Sequence, residues 1–210
     1  MIDPNLVKKL REKTNAGMMD CKRALEETGG DFQQAETLLR TKGIASADKK
    51  SARVTKEGVI ASYIHLQGRV GVLIEVNCET DFVAKNEIFR EFVKEITLQI
   101  AAASPLVVSR DQVDTKIIQA ERSIYEAQVK DKPAAIVDKI VAGKLDKFYA
   151  TVSLMEQNFI KNPELTVKDY VASKIAELGE NIIIRRFVRY AVGEDLGENC
   201  SSEHSSCHLG

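Results

Sequence analysis

The hydrophobic period of this chain changes at Gly58, and that change limits the possible fold more than any other feature. Beyond it, GVIASYIH and RVGVLIEVN are rich in β-branched residues, and Leu66-Gln67-Gly68 between them suits a hairpin turn. A long helix is predicted from about 86 to 103, with Ile88, Phe89, Phe92, Val93, Ile96 and Ile100 on one face. Two helical stretches then flank Lys132–Pro133, one with a Val113, Ile117, Ile124, Tyr125 stripe and one with Ile136, Ile140, Leu145, Phe148. Pro133 between them predicts an antiparallel helical hairpin over 111–149. Thr166 and Asp169 form a capping box opening VKDYVASKIAEL, Gly179 stops that helix, and IIIRRFVRYAV reads as a final strand. Strands and helices thus come in blocks, which predicts an α+β fold with a small antiparallel sheet.

Ahead of Gly58 the spacing is helical. Asp3 and Pro4 supply an N-cap and first turn before Leu6, Val7 and Leu10. Gly17 interrupts; Met18, Cys21 (or Lys22) and Leu25 mark a second helix that ends at Gly29–Gly30. Asp31 caps a third, with Phe32, Ala35, Leu38 and Leu39 on one face and Gly43 expected after its end. Three-helix units of this size are marginal alone and commonly serve as docking modules. Residues 45–57 (ASADKKSARVTKE) suit either a solvated linker or helix extension, or a basic patch. The expected organisation is a docking domain with linker over 1–55, a core over 56–198, and a polar, disordered tail over 199–210.

Composition narrows the function. The 210 residues carry a net charge of −1, against the basic excess that nucleic-acid binding usually needs. Membrane spans are not expected, because no apolar run approaches the roughly 20 residues they require. Four cysteines without framework spacing suit reduced thiols in a cytoplasmic protein. GxxxxGK[ST], HExxH and paired CxxC patterns are absent. Cys200, His204, Cys207 and His208 have metal-ligand chemistry, but their segment has nothing to fold around, and no metal or other cofactor is expected. Cys78 and His65 lack a third group to orient them as nucleophile and base, so a buried thiol is the simpler reading.

Two surface features stand out. Met18 and Met19 are neighbours, and a helix cannot bury both on one face, because successive residues differ by about 100° around its axis. Either one packs inward and the other is incidental, or they form an adaptable contact surface within reach of Arg11. Phe82, in NCETDFVAKNE, is equally open. A helix running unbroken from Asp81 would put Phe82 on the stripe of Phe89; a break at Asn86 would leave it protruding from a junction capped by Thr80 and Asp81.

KLREKTNAGMMDCKRALEETGGDFQQAETLLRTKG (9–43), EVNCETDFVAKNEIF (75–89) and GENIIIRRF (179–187) resemble signature stretches of the elongation factor Ts family, in order and at family spacing, within a likeness running from about residue 4 to about 195. The resemblance implies a ubiquitin-associated-like three-helix N-terminal domain, an α+β core, and a role in translation as guanine-nucleotide exchange factor for elongation factor Tu, without covalent chemistry. It implies that Thr80, Asp81, Phe82 and Val83 enter the partner near its magnesium and phosphate site. Arg11, Met18 and Met19 match positions that contact the partner's nucleotide-binding domain, and Leu178 and Gly179 match a further contact turn. Longer members carry two core repeats. This chain has one, like the short forms that pair as homodimers, and by that logic His65 contacts the partner from the second subunit. Two rival readings remain: a docking adaptor that binds without exchange, and a nucleic-acid binder using Arg185, Arg186 and Arg189, with a steep salt dependence.

Overall fold

A computed structural model of the chain describes residues 2–14, 16–129 and 133–195, with backbone alone at 134 and 135. The tail cluster Cys200, His204, Cys207 and His208 lies outside these residues.

At the N-terminus, α1 (Pro4–Thr14), α2 (Met18–Glu27) and α3 (Phe32–Lys50) pack around Val7, Leu10, Cys21, Ala24, Leu25, Ala35 and Leu39. The caps read from sequence are in place: Asp3 accepts from the Asn5 amide at 2.9 Å, and Asp31 from that of Gln34 at 2.9 Å. One boundary differs. Gly43 does not end α3, which continues to Lys50. Tertiary packing supplies what the glycine withholds, because α3 lies along α8 (Val167–Leu178) and Gly43 faces Ala176. Arg40 reaches Asp169 at 2.6 Å, and Lys50 donates to the Ile175 carbonyl at 3.2 Å. Within the 45–57 stretch, residues 45–50 are therefore helix extension, and 51–56 connect α3 to the first strand.

The sheet is antiparallel in the order β1 (Glu57–His65), β2 (Val70–Cys78), β5 (Ile183–Ala191). Gly58 explains why the period changes where it does. Its φ is +150°, and a Cβ there would sit 2.2 Å from the Val76 carbonyl oxygen, so only glycine lets β1 start this close to β2. Val70, Val72, Ile74, Val76 and Cys78 point inward, beneath Phe89, Phe92, Val93, Ile96 and Ile100 of α5 (Glu87–Ala103). Helix α8 closes the same core through Val167, Val171 and Ile175, and carries the expected Thr166–Asp169 capping box.

Helices α6 (Thr115–Ala127) and α7 (Ala134–Val152) form the hairpin predicted over 111–149. Its base is clamped where Arg110 forms a fork on Glu156, with both contacts at 2.6 Å, and stacks on Tyr149. Of its stripes, Val113 is buried while Ile117, Ile124 and Ile136 stay exposed. A short hairpin of β3 (Asn158–Phe159) and β4 (Asn162–Thr166), which the sequence reading missed, is fastened by buried Gln99, whose amide bonds Gln157, the Asn158 carbonyl and the Ile160 amide.

A methyl at Gly43 would meet Ala176 Cβ at 4.0 Å, an ordinary contact. Gly43→Ala is therefore expected to stabilise the chain by about 0.5–1 kcal/mol through helix propensity, read as a raised urea midpoint at unchanged slope. A lowered midpoint would show that α3 and α8 lie closer than this.

Candidate functional site

Strand β2 ends at Cys78, and the next eight residues turn sharply outward before α5 begins. Thr80 accepts from the Val83 amide and caps a one-turn helix, α4 (Asp81–Lys85). Asn86 then breaks that helix and starts α5 by accepting from the Ile88 amide at 2.8 Å. The break decides the register of Phe82. Ala84 is buried and Val83 half-buried, both against the core, whereas Phe82 is 82% exposed. A core role for Phe82 is thereby excluded in this chain.

The junction is tied from below. Glu180 Oε2 accepts from the amides of Glu79 and Thr80 at 3.1 and 3.0 Å, and Oε1 from the Thr80 hydroxyl at 2.6 Å. Glu79 in turn accepts from the Asn181 amide at 2.6 Å and pairs with Arg53 at 3.4 Å. The Asn181 side chain donates to the Ser51 and Arg53 carbonyls. Gly179 makes this approach possible: at φ +78° it closes α8 in the left-handed conformation and turns the chain toward Thr80. Asp81 accepts from Lys85 at 2.7 Å, which holds its carboxyl below the usual carboxylate range. Cys78 is the opposite case. Burial, with the charge of Glu180 adding, pushes its thiol up to about 11, so it is no nucleophile at neutral pH.

The remaining candidates are spread out. Arg11 is exposed on α1, and Met18 and Met19 are both exposed at the start of α2, so neither methionine packs inward. Leu178 and Gly179 lie at the end of α8, next to the clasp. His65 is elsewhere: it stacks on Tyr63 at the far end of β1, about 25–30 Å of strand from the junction. The three arginines of β5 have acidic partners, Arg185 and Arg186 on Glu75 and Arg189 on Glu194, which removes the free basic stripe a nucleic-acid reading requires. Among the described residues no group of three or more His, Cys, Asp or Glu is arranged to hold a metal, and no helix is long and apolar enough to cross a membrane.

Comparison with known proteins agrees with this architecture. The Elongation factor TS family model matches residues 46–194. The chain is 55% identical over 200 residues to Elongation factor Ts of Carboxydothermus hydrogenoformans, covering 94% of this chain and 92% of that protein. It is 51% identical to that of Thermodesulfovibrio yellowstonii (94% and 99% covered) and 53% identical to that of Thermoanaerobacter pseudethanolicus (97% and 100%). The chain belongs to the elongation factor Ts family. Its relatives' names make it a translation elongation factor, and the chain spans 92–100% of the length of these three relatives.

Within that family fold, residue patterns pointed to Thr80, Asp81 and Asn86 as capping groups but gave no hint of Glu180, Asn181 or Glu79. A carboxylate after a helix-ending glycine has no periodicity to reveal it, and its partners lie about 100 residues away, as for Glu180 and Thr80 (|i−j| 100).

The Asp81–Lys85 pair carries a pH signature. Because the folded pKa of Asp81 is depressed, its small contribution to stability is present above the unfolded value of about 3.9 and lost as pH falls through the lower folded value. Followed by carboxyl carbon chemical shift, Asp81 is expected to titrate below that reference, and Lys85→Ala to return it upward. An unchanged midpoint would mean that Lys85 does not set it.

Proposed function

We propose that this chain is the nucleotide-exchange partner of elongation factor Tu, binding its GDP complex and hastening GDP release. The observation that carries the reading is Phe82, a large apolar side chain 82% exposed on a junction fixed by capping and by Glu180. Exposed apolar groups on rigid supports are what interfaces use as anchors.

Exchange of this kind needs no covalent step. The factor must bind the nucleotide-free partner more tightly than the loaded one, and linkage then weakens nucleotide by the same ratio. For nucleotide held at about nanomolar, near 12 kcal/mol, a thousandfold weakening takes roughly 4 kcal/mol of coupling. Burial of one Phe gives about 1.5–3 kcal/mol. Phe82 therefore needs help, and the proposed division of labour assigns it to two parts. Residues 1–55 form a docking domain that meets the partner through Arg11, Met18 and Met19, with Leu178 and Gly179 adding a second contact. From residue 56 onward the core presents Thr80, Asp81, Phe82 and Val83. Phe82 enters a pocket that exists only when the elements holding Mg²⁺ and the terminal phosphate have moved aside, and Asp81 meets donors freed by that movement. GDP leaves, and GTP rebinding expels the factor. On this reading the chain works in the cytoplasm as an exchange factor and not as an enzyme that makes or breaks bonds.

A homodimer completes the reading. The outer face of the sheet carries Ile60, Ile64, Leu73, Val188 and Tyr190, all exposed. The charges among them are Glu75 and the two arginines that pair with it within the same chain, Arg186 at 2.7 Å and Arg185 at 3.5 Å. An exposed face that is apolar around one paired charge cluster suits a second copy, which would also bring its His65 toward the partner.

The deciding experiment is stopped-flow release of fluorescent GDP from elongation factor Tu. The wild-type chain is expected to accelerate release by orders of magnitude, and Phe82→Ala to lose about ten- to hundredfold of that acceleration. A chain that binds without accelerating would favour the adaptor reading instead. Sedimentation tests the pairing: a dimer is expected, with Tyr190→Glu shifting it toward monomer, and a wild-type monomer would remove His65 from the interface.

A further inference from the structure

We infer that Glu180 is a positioning residue for exchange: its carboxylate, not the sheet, fixes the direction in which Phe82 points. This rests on the exchange role proposed for Phe82. The β2–β5 ladder pairs residues only as far as Asn77 with Ile183, after a bulge at Glu75/Val76. Beyond it, Glu79 and Thr80 have left the sheet on this side. Their amides nevertheless converge on one oxygen, Glu180 Oε2, at 3.1 and 3.0 Å. The other oxygen accepts a hydrogen bond from the Thr80 hydroxyl at 2.6 Å, which leaves that hydroxyl's lone pairs to the Val83 amide and so orients the cap of α4. One half-buried carboxylate thus satisfies three donors at the root of a five-residue helix.

The clasp is reciprocal. Glu180 holds the amides of 79 and 80, while the Glu79 carboxylate holds the amide of Asn181 at 2.6 Å. Asn181 continues the chain of bonds to the carbonyls of Ser51 and Arg53, where the chain leaves α3. The tip, the end of α8 and the exit of the first three helices therefore share one polar joint. Phe82 has almost no packing of its own to hold it, so its direction is inherited from this joint. A tip that samples several directions is competent for only a fraction of the time, and the exchange rate falls by that fraction.

The test combines GDP release from elongation factor Tu with amide hydrogen exchange in the free chain. Glu180→Ala is expected to lower the maximal release rate about tenfold while moving the half-saturating concentration much less, because most docking contacts are untouched. Amides of 79–86 should exchange faster, and those of α5 should keep their protection. Glu180→Gln, which keeps reach and an acceptor oxygen, is expected to restore most of the rate. Glu180→Asp keeps the charge but loses a methylene of reach, and it is expected to behave like Glu180→Ala; it also serves should the alanine variant not fold. In a Phe82→Ala background Glu180→Ala should add little further loss. The proposal is overturned if Glu180→Asp exchanges at the wild-type rate, if the 79–86 amides stay protected, or if the loss is undiminished in the Phe82→Ala background. Phe82→Ala at the wild-type rate would defeat the wedge reading alone, and the amide protection would still decide the clasp.

Discussion

The apolar seam between β2 and α5 is the interaction on which the rest of the molecule depends. Inward residues of the strand from Val70 to Cys78 meet Phe89, Phe92, Val93, Ile96 and Ile100, all buried. A one-residue slip of β2 would turn this whole set to solvent, so burial alone fixes the register. With the register fixed, Gly58 must pass the Val76 carbonyl at a distance no side chain tolerates. The same constraint sets where β2 ends, and therefore where the chain must leave the sheet to reach α5. The exposed junction at 79–86 is the short path between two elements whose positions are already settled.

Helix α8 joins the first three helices to that core. It packs inward with Val167, Val171 and Ile175 and meets α3 on another side, through Arg40–Asp169 and Lys50 to the Ile175 carbonyl. Burial raises the Asp169 carboxyl, but bonds from Thr166 and Arg40 outweigh it and leave the pKa below the usual carboxylate value. For the proposed exchange role the consequence is mechanical. On the proposed reading, binding energy collected on α1 and α2 reaches the tip only through the joint between them, and three kinds of contact tie that joint: helix packing, an ion pair at a capping box, and the Asn181 amide. Surface pairs alone would contribute little.

Much of this was legible in the sequence, and what was missed has a physical pattern. Local signals survived: Asp31, Asn86, Thr166 with Asp169, and Gly179 all act within a few residues of themselves, and folding leaves such caps where the chain writes them. The extent of α3 was misjudged because Gly43 reads as a stop in isolation, and only the contact with α8 makes a mid-helix glycine affordable. Phe82 stayed undecided between core and surface because its spacing to Phe89 fits an unbroken helix. The outcome hung on Asn86 taking the next cap. Glu180, Asn181 and Glu79 were invisible for a different reason. Their bonds join residues about a hundred positions apart, and no period or dipeptide encodes a partner at that separation.

On the proposed reading, the chemistry of the tip also follows from what an exchange factor must avoid. The partner's metal and phosphate site is polar while nucleotide is bound. A cationic intruder such as Lys would be drawn to the phosphate in both states, and a ligand that binds both states equally shifts nothing. A phenyl ring gains little from the closed polar site and gains its burial energy only once a pocket has opened, so its affinity is differential by nature. The neighbouring charge is handled in the same sense: Asp81 is paired with Lys85 across one helical turn and so is partly neutralised before any partner arrives. An exposed Phe is a poor anchor if it wanders, since fixing it on contact costs entropy that a preset direction avoids. The apolar ring at position 82 and the polar clasp beneath it are therefore complementary requirements: the ring makes the binding selective for the open state, and the clasp lets a single side chain deliver that selectivity in full.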